Sequence, residues 1–467
     1  MAKRTPGLAG AAMVNITPPM PVKGYFGNEF RRGHVEADIY AQAAVISDGE
    51  TTGAVVSADI VIIGREASLW VKELCELRTG IPASNIFINA NHDHSAPSAA
   101  PAFSHGNQPD PLFVEFLVER IARAVAEARD SMRPARFAAG QALAPGIAFN
   151  RRLERPDGTA VHLAALTESP GMNDVNPDYP PAGPKDDEVG YIFFEDMDGR
   201  PITSILSFGC HNHASRSSVF HRDMFGRAGD VMRQRLGEGI PVVFLAGAGG
   251  DIMWVDPRAP IPPDAEVFTW QIGTKLAEAV LKDLEGKPRR DVSDLRIETT
   301  VIEIPDRPIH ESEFCEDNCR GHHMGSHQFA QRRYGPEKLA VIDRGLTICL
   351  LEIGAVSIGD YAAISTNPAE LFAAWGLEIK RRSPFDVTLI SELTNGHAGY
   401  VPTPEGFRQG GYEAHRGVYV SRLVQDGGRI IADASIDMLN KCKRTRLQTT
   451  RGDTKRNATT HRKTAGQ

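Results

Sequence analysis

Cysteine is scarce in this chain, with six in 467 residues, at positions 75, 210, 315, 319, 349 and 442. A secreted disulfide scaffold uses cysteine far more densely, so reduced thiols and a cytoplasmic location are expected. Excess positive charge is lacking too. The formal net charge is -7 at pH 7, which gives no electrostatic reason to expect nucleic acid as a partner. No apolar run approaches the length of a membrane span. The basic pair Lys3-Arg4 is followed by Thr-Pro-Gly instead of an apolar h-region, so no secretory signal is expected. Aromatic residues make up only 7%, but hydrophobic residues reach 41% and charged ones 24%, an ordinary globular balance. The length allows a large core, in one domain or two.

Patterning predicts an α/β (mixed α+β) protein with a layered mixed β-sheet core and flanking helices. Residues 40–63 read as a hairpin around Asp48-Gly49, and residues 189–209 as another around Asp198-Gly199. Helices are expected near Glu66 to Leu77, from Leu112 to Met132 after the cap pair Asp110-Pro111, and from Asp264 to Leu284. Further helices are expected at Glu370 to Arg382 and Arg429 to Leu439. Strands are expected at 241–246, 297–304, 346–358 and 387–393. Hairpins mixed with helices imply a mixed sheet. No internal repeat is visible. One domain over 10–440 is expected, with 305–345 as a polar insertion or lid. Its Cys315, Cys319, His322, His323 and His327 fit no zinc-finger spacing. From Lys441 onward there are nine Lys or Arg and one acidic residue, so 441–467 reads as a basic disordered tail.

Five segments carry residues with chemical potential. The apolar strand before Asn91-His92-Asp-His94 runs into two histidines one residue apart. In an extended segment both would project to the same side, as half of a metal site. A second apolar strand ends in Cys210-His211-Asn-His213, with Cys210 packed inward. A third runs into Gly247-Ala-Gly-Gly250-Asp251, either a loop that admits a ligand or a tight turn with Asp251 bonding nearby amides. It lacks the spacing of a phosphate or dinucleotide loop. Glu370 is expected at a helix start, where the dipole favours a carboxylate whatever its function. Last comes Asn395-Gly-His397-Ala-Gly-Tyr400, followed by Gly410-Gly-Tyr412.

Taken together, these segments resemble the catalytic domain of the neutral (neutral/alkaline, non-lysosomal) ceramidase family. Val14-Asn-Ile-Thr-Pro-Pro resembles its opening stretch, and Asn91-His92-Asp-His94-Ser its first histidine motif. Phe208-Gly-Cys-His211 resembles the second, and Gly250-Asp251 its Gly-Asp loop. Asn367-Pro-Ala-Glu370 resembles its Pro-Gly-Glu, and Asn395 to Tyr400 with Gly410 to Tyr412 its closing block. The resemblance implies His92, His211, Glu370 and Tyr400 as zinc ligands. It implies catalytic roles for His94 facing the substrate, Arg151 at the reacting carbonyl and Tyr412 at the oxyanion. Asp251 is expected in a catalytic role beside them.

This donor set suits catalytic zinc, since two imidazoles and a carboxylate leave room for water and substrate. Zinc can lower the pKa of a bound water to about 7. The function this implies is a zinc-dependent hydrolase, an amidase with a small-molecule substrate. Met253 stands where the family has its serine nucleophile, which implies a substrate other than ceramide. No C-terminal immunoglobulin-like domain is expected. Two alternatives remain open: a metal-dependent hydrolase of sugar-type substrates, with Asp251 and Asp256 as acid and base, and a non-catalytic metal-bound binding protein. Homo-oligomerisation is possible.

Overall fold

The computed structural model describes residues 6–23, 29–30, 35–101, 108–162, 176–215, 219–259, 264–308, 345, 347–414, 416 and 420–456. The body of the 305–345 insertion, with its Cys and His residues, and residues 457–467 lie outside these.

The main sheet begins with β1 (Leu8–Asn15), β2 (Tyr40–Ser47), β3 (Thr52–Ala58) and β4 (Ile86–Ala90). It continues with β5 (Arg133–Leu143), β6 (Glu188–Asp196), β7 (Pro201–Phe208) and β8 (Val242–Ala246). The order across it is β8-β7-β6-β5-β1-β2-β3-β4. The β7/β8 and β3/β4 pairs are parallel and the rest antiparallel. A second sheet runs β9 (Leu295–Pro305), β10 (Ile348–Ile358), β11 (Ala362–Thr366) and β12 (Val387–Ser391), with only β11/β12 parallel.

The expected hairpins form. At the first turn Asp48 Oδ1 accepts from Glu50 N at 3.0 Å and Thr51 N at 2.8 Å, while Gly49 takes a φ of 93°. The longer helices are α1 (Arg65–Thr79), α2 (Pro111–Asp130), α3 (Asp223–Leu236), α4 (Ala265–Leu284), α5 (Ala373–Arg382) and α6 (Gly427–Arg456). Asp110 caps α2 by accepting a first-turn amide, as its sequence predicts, and Asp264, expected as the first residue of its helix, caps α4 in the same way. Helix α6 runs past its expected end into the segment read as a disordered tail. Among the described residues no helix is long and apolar enough to cross a membrane.

Four layers result. The two sheets face one another across a core that includes Phe87, Phe137, Phe194, Val356, Ile364 and Leu389. Helices α1 to α4 cover the outer face of the main sheet, and α5 and α6 that of the second.

The sequence has no repeat, yet one unit recurs three times. A hairpin feeds a helix that crosses to a parallel strand, as β2–β3–α1–β4, β6–β7–α3–β8 and β10–β11–α5–β12. The third strands of the three units meet at their C-terminal ends. Asn89 Oδ1 accepts from Ala246 N at 3.1 Å, Asn89 Nδ2 donates to Glu392 O, and Glu392 N donates to Ala246 O at 2.9 Å. The loops beyond these ends and beyond the parallel neighbours β7 and β11, where ligands gather in open α/β sheets, carry the five segments.

Candidate metal centre

His92 follows β4 but does not continue it. Its φ is 61°, in the left-handed region that non-glycine residues rarely enter. The expected extended His-x-His therefore does not form. His92 Nδ1 donates to Val61 O at 3.0 Å, in the loop after the neighbouring strand β3. That bond fixes the tautomer and leaves the Nε2 lone pair facing inward. His94 Nε2 lies 3.1 Å from His92 Nε2. The second pair is not extended either, since His213 N bonds back to His211 O at 3.1 Å. His211 Nδ1 donates to Gly249 O at 2.9 Å and Ile252 O at 3.1 Å, so its Nε2 also faces inward. Backbone joins the two loops, with His94 N donating to Asn212 O at 3.2 Å.

The glycine loop acts as a brace. A Cβ on Gly250 would sit 2.5 Å from Glu370 O, so only glycine allows the two chains to touch. Ile252–Met253 pairs with Phe149–Asn150, and Arg151 N donates to Asp251 O at 2.8 Å. These bonds set Arg151 beside His211. The Asp251 carboxylate accepts from Asn150 Nδ2 and from Ala373 N, each at 2.7 Å, and burial raises its pKa to about 6. Its bonds thus tie the Arg151 strand to the start of α5, in keeping with the tight-turn reading.

Glu370 is not at a helix start. Glu370–Leu371 forms a two-residue parallel bridge with Tyr400–Val401, and α5 begins only at Ala373. Its backbone amide donates to Gly399 O at 3.0 Å, extending the contact between the two segments. Glu370 Oε2 lies 3.4 Å from His92 Nε2 and 3.6 Å from His211 Nε2, and among the described residues it has no hydrogen-bond partner. An orphaned carboxylate oxygen in a site 1% exposed is costly unless a cation or proton meets it. Tyr400 OH is 3.4 Å from His211 Nε2.

Electrostatics agree with a ligand role. Burial lowers the His92, His94 and His211 pKa values, with Arg151 the next cause for His211. The rings therefore stay neutral. Burial works to raise the Glu370 pKa, but His92, His397 and Arg151 outweigh it and hold the carboxyl below its usual range. Burial, then Glu370, pushes the Tyr400 phenol well above 10. Among the described residues, ligand nitrogens of His92, His94 and His211 lie within 4.8 Å of one another and could hold a metal ion. Arg151 Nη1 donates to His211 Nε2 at 2.9 Å, so the guanidinium and a cation compete for one lone pair.

The structure thus brings His92, His94, His211, Glu370, Tyr400 and Arg151 together. The side chain of Tyr412 lies outside the described residues. Glu413 beside it had no sequence signal as a charged residue in a glycine-rich turn, yet it is fully buried. It accepts from Arg151 Nε and Arg152 Nη1, each at 2.8 Å, with His162 Nε2 at 3.1 Å. Burial works to raise the Glu413 pKa, but His162 and the two arginines hold it well below the carboxylate range. His397, which donates to Glu370 Oε1 at 3.2 Å, also went unassigned in the sequence. So did Asp223, whose carboxylate accepts from Ala214 N and Ser215 N and pins the loop after His213.

His94 provides a pH test. Unfolded, it takes up a proton near pH 6.5; folded, burial keeps it neutral. The unfolded state then binds more protons, so stability is lost as pH falls below 6.5. With chelator-treated protein, urea unfolding from pH 7.5 to 5.5 is expected to show a shallower loss for His94→Leu. The difference should reach up to about 1.4 kcal/mol per pH unit. Equal slopes would show that His94 titrates normally in the fold.

These features define a layered mixed-sheet protein with a buried histidine–carboxylate centre able to hold a metal. The fold is that of neutral ceramidase. The chain is similar to the solved structure of neutral ceramidase from Pseudomonas aeruginosa, with a TM-score of 0.69 and 16% identity over 94% of this chain and 75% of that one. It is equally similar to a structure of a ceramidase complexed with C2, with a TM-score of 0.69 and 16% identity over 93% of this chain and 75% of that one. At this identity the likeness establishes the fold. No family model and no curated protein matches the sequence.

Proposed function

We propose that the protein is a zinc-dependent hydrolase, an amidase whose substrate is not ceramide. The carrying observation is that two inward-facing Nε2 atoms converge on a carboxylate oxygen that has no hydrogen-bond partner among the described residues. His92, His211 and Glu370 would hold the ion, with Tyr400 beside them. This nitrogen–oxygen set suits zinc. When bound, zinc supplies Lewis-acid polarisation and an acidified water.

The protein's own groups supply the rest. Arg151, held through Nε by Glu413, presents its guanidinium to an oxygen that gains negative charge. His94, kept neutral by burial, can accept a proton at Nε2 and return it to a leaving amine. Met253 is buried against Leu153, Val161 and Val255, an apolar setting that supports a route without a protein nucleophile.

Metal analysis and a panel of N-acyl amides, including a fluorescent ceramide, test this reading. Purified protein is expected to carry about one zinc per chain. It should cleave a short polar amide, lose that activity on chelation and regain it with zinc, while leaving ceramide intact. Turnover indifferent to chelation would overturn the metal role, and ready cleavage of ceramide would overturn the substrate reading.

A further inference from the structure

We infer that His397 is a positioning residue that restricts Glu370 to one-oxygen coordination of the metal. The inference rests on the metal centre proposed above. A carboxylate beside a cation can bind through one oxygen or both, and the choice decides whether a coordination position stays open for substrate. Here the two oxygens face different partners. Oε1 accepts from His397 Nε2 at 3.2 Å, while Oε2 lies between His92 and His211 with no hydrogen bond among the described residues. Turning the carboxylate to bring both oxygens to the ion would break the His397 bond in a site where the His397 side chain is 8% exposed. The freed donor would be left in poor solvent.

His397 can do this because its loop is fixed from behind. Asn395, at a φ of 60°, accepts from Ile88 N at 2.9 Å and donates to Ile86 O at 3.2 Å. Both partners lie on β4, the strand that delivers His92. Asn395 Nδ2 also donates to Glu352 Oε1 at 2.8 Å, and Lys72 pairs with that carboxylate at 2.7 Å. The histidine ligand and the residue that aligns the carboxylate ligand therefore hang from one strand. His397 also lines a cavity of about 400 Å³ whose walls include Arg65, Pro101, Leu351 and Arg422. A smaller side chain at 397 would open into that cavity without crowding the core.

The test measures zinc affinity by chelator competition in the wild type, His397→Phe and His397→Gln. Glutamine can place an amide N–H near the position of Nε2 and should restore the bond. The expected result is a Kd weakened by roughly 10- to 100-fold in His397→Phe, and within about threefold of wild type in His397→Gln. Should the Phe variant not fold, His397→Ala gives the same reading through the space beside the cavity. Wild-type affinity in His397→Phe or His397→Ala would overturn the inference and leave the metal centre standing. Equal weakening in His397→Gln would also overturn it, by reducing His397 to a packing role. A wild type that binds no zinc would overturn the metal centre itself, and this inference with it.

Discussion

Changing His211 to alanine is expected to leave the protein without bound metal and without hydrolysis. Metal content should fall below about a tenth of an equivalent, and turnover by roughly a thousandfold or more, because the chemistry depends on the ion. The argument rests on how the ring is held. Two carbonyls, Gly249 O and Ile252 O, receive its Nδ1–H, so Nε2 can face only the centre. His213, two residues on, does not take its place, since its ring packs against that of His94. His213→Ala is therefore the control and should keep its metal. Stoichiometric zinc in His211→Ala, read by elemental analysis, would show that the ligand set is wrong.

Glu413→Ala is expected to destabilise the fold by about 3–5 kcal/mol, the usual cost of stripping a buried ion pair of one partner. Two guanidinium groups, Arg151 and Arg152, share its carboxylate in a site where Glu413 is 0% exposed. Arg152 would keep the carbonyls of Gly406 and Gly410, but Arg151 would lose the bond to its Nε. Activity should therefore fall further than stability alone explains, at temperatures where the variant is still folded. Glu413→Gln keeps an acceptor and should be milder on both counts. Urea unfolding checks the first effect. A loss under about 1 kcal/mol, typical of an exposed pair, would contradict the burial argument.

The layered α/β architecture was legible because its causes are local. Turn residues such as Asp48-Gly49 and caps such as Asp110 act within a few positions, and both do what their sequence implies. The pairings of the main sheet were not legible, since β1 joins β2 and β5 across long stretches of chain. In the site, the resemblance pointed to six side chains that the fold brings together, but their backbone settings did not follow. His92 was expected in an extended strand and sits at a φ of 61°; Glu370 was expected on a helix and sits in a bridge to Tyr400. Both differences have one origin. Local propensity yields where a distant segment supplies the hydrogen bond, Val61 O for His92 and Gly399 O for Glu370. Glu413 and His397 stayed hidden for a related reason. Their importance lies wholly in partners that no spacing rule connects to them.

The three strand ends that meet at Asn89, Ala246 and Glu392 bear on how a ribosome delivers this chain. Asn89 waits for a partner 303 positions later, and Arg151 for one 262 positions later. Most of the polypeptide has emerged before the first histidine loop can find its mates. Until then the nascent product presents an open, apolar edge, the condition in which large proteins most often draw on chaperones or aggregate.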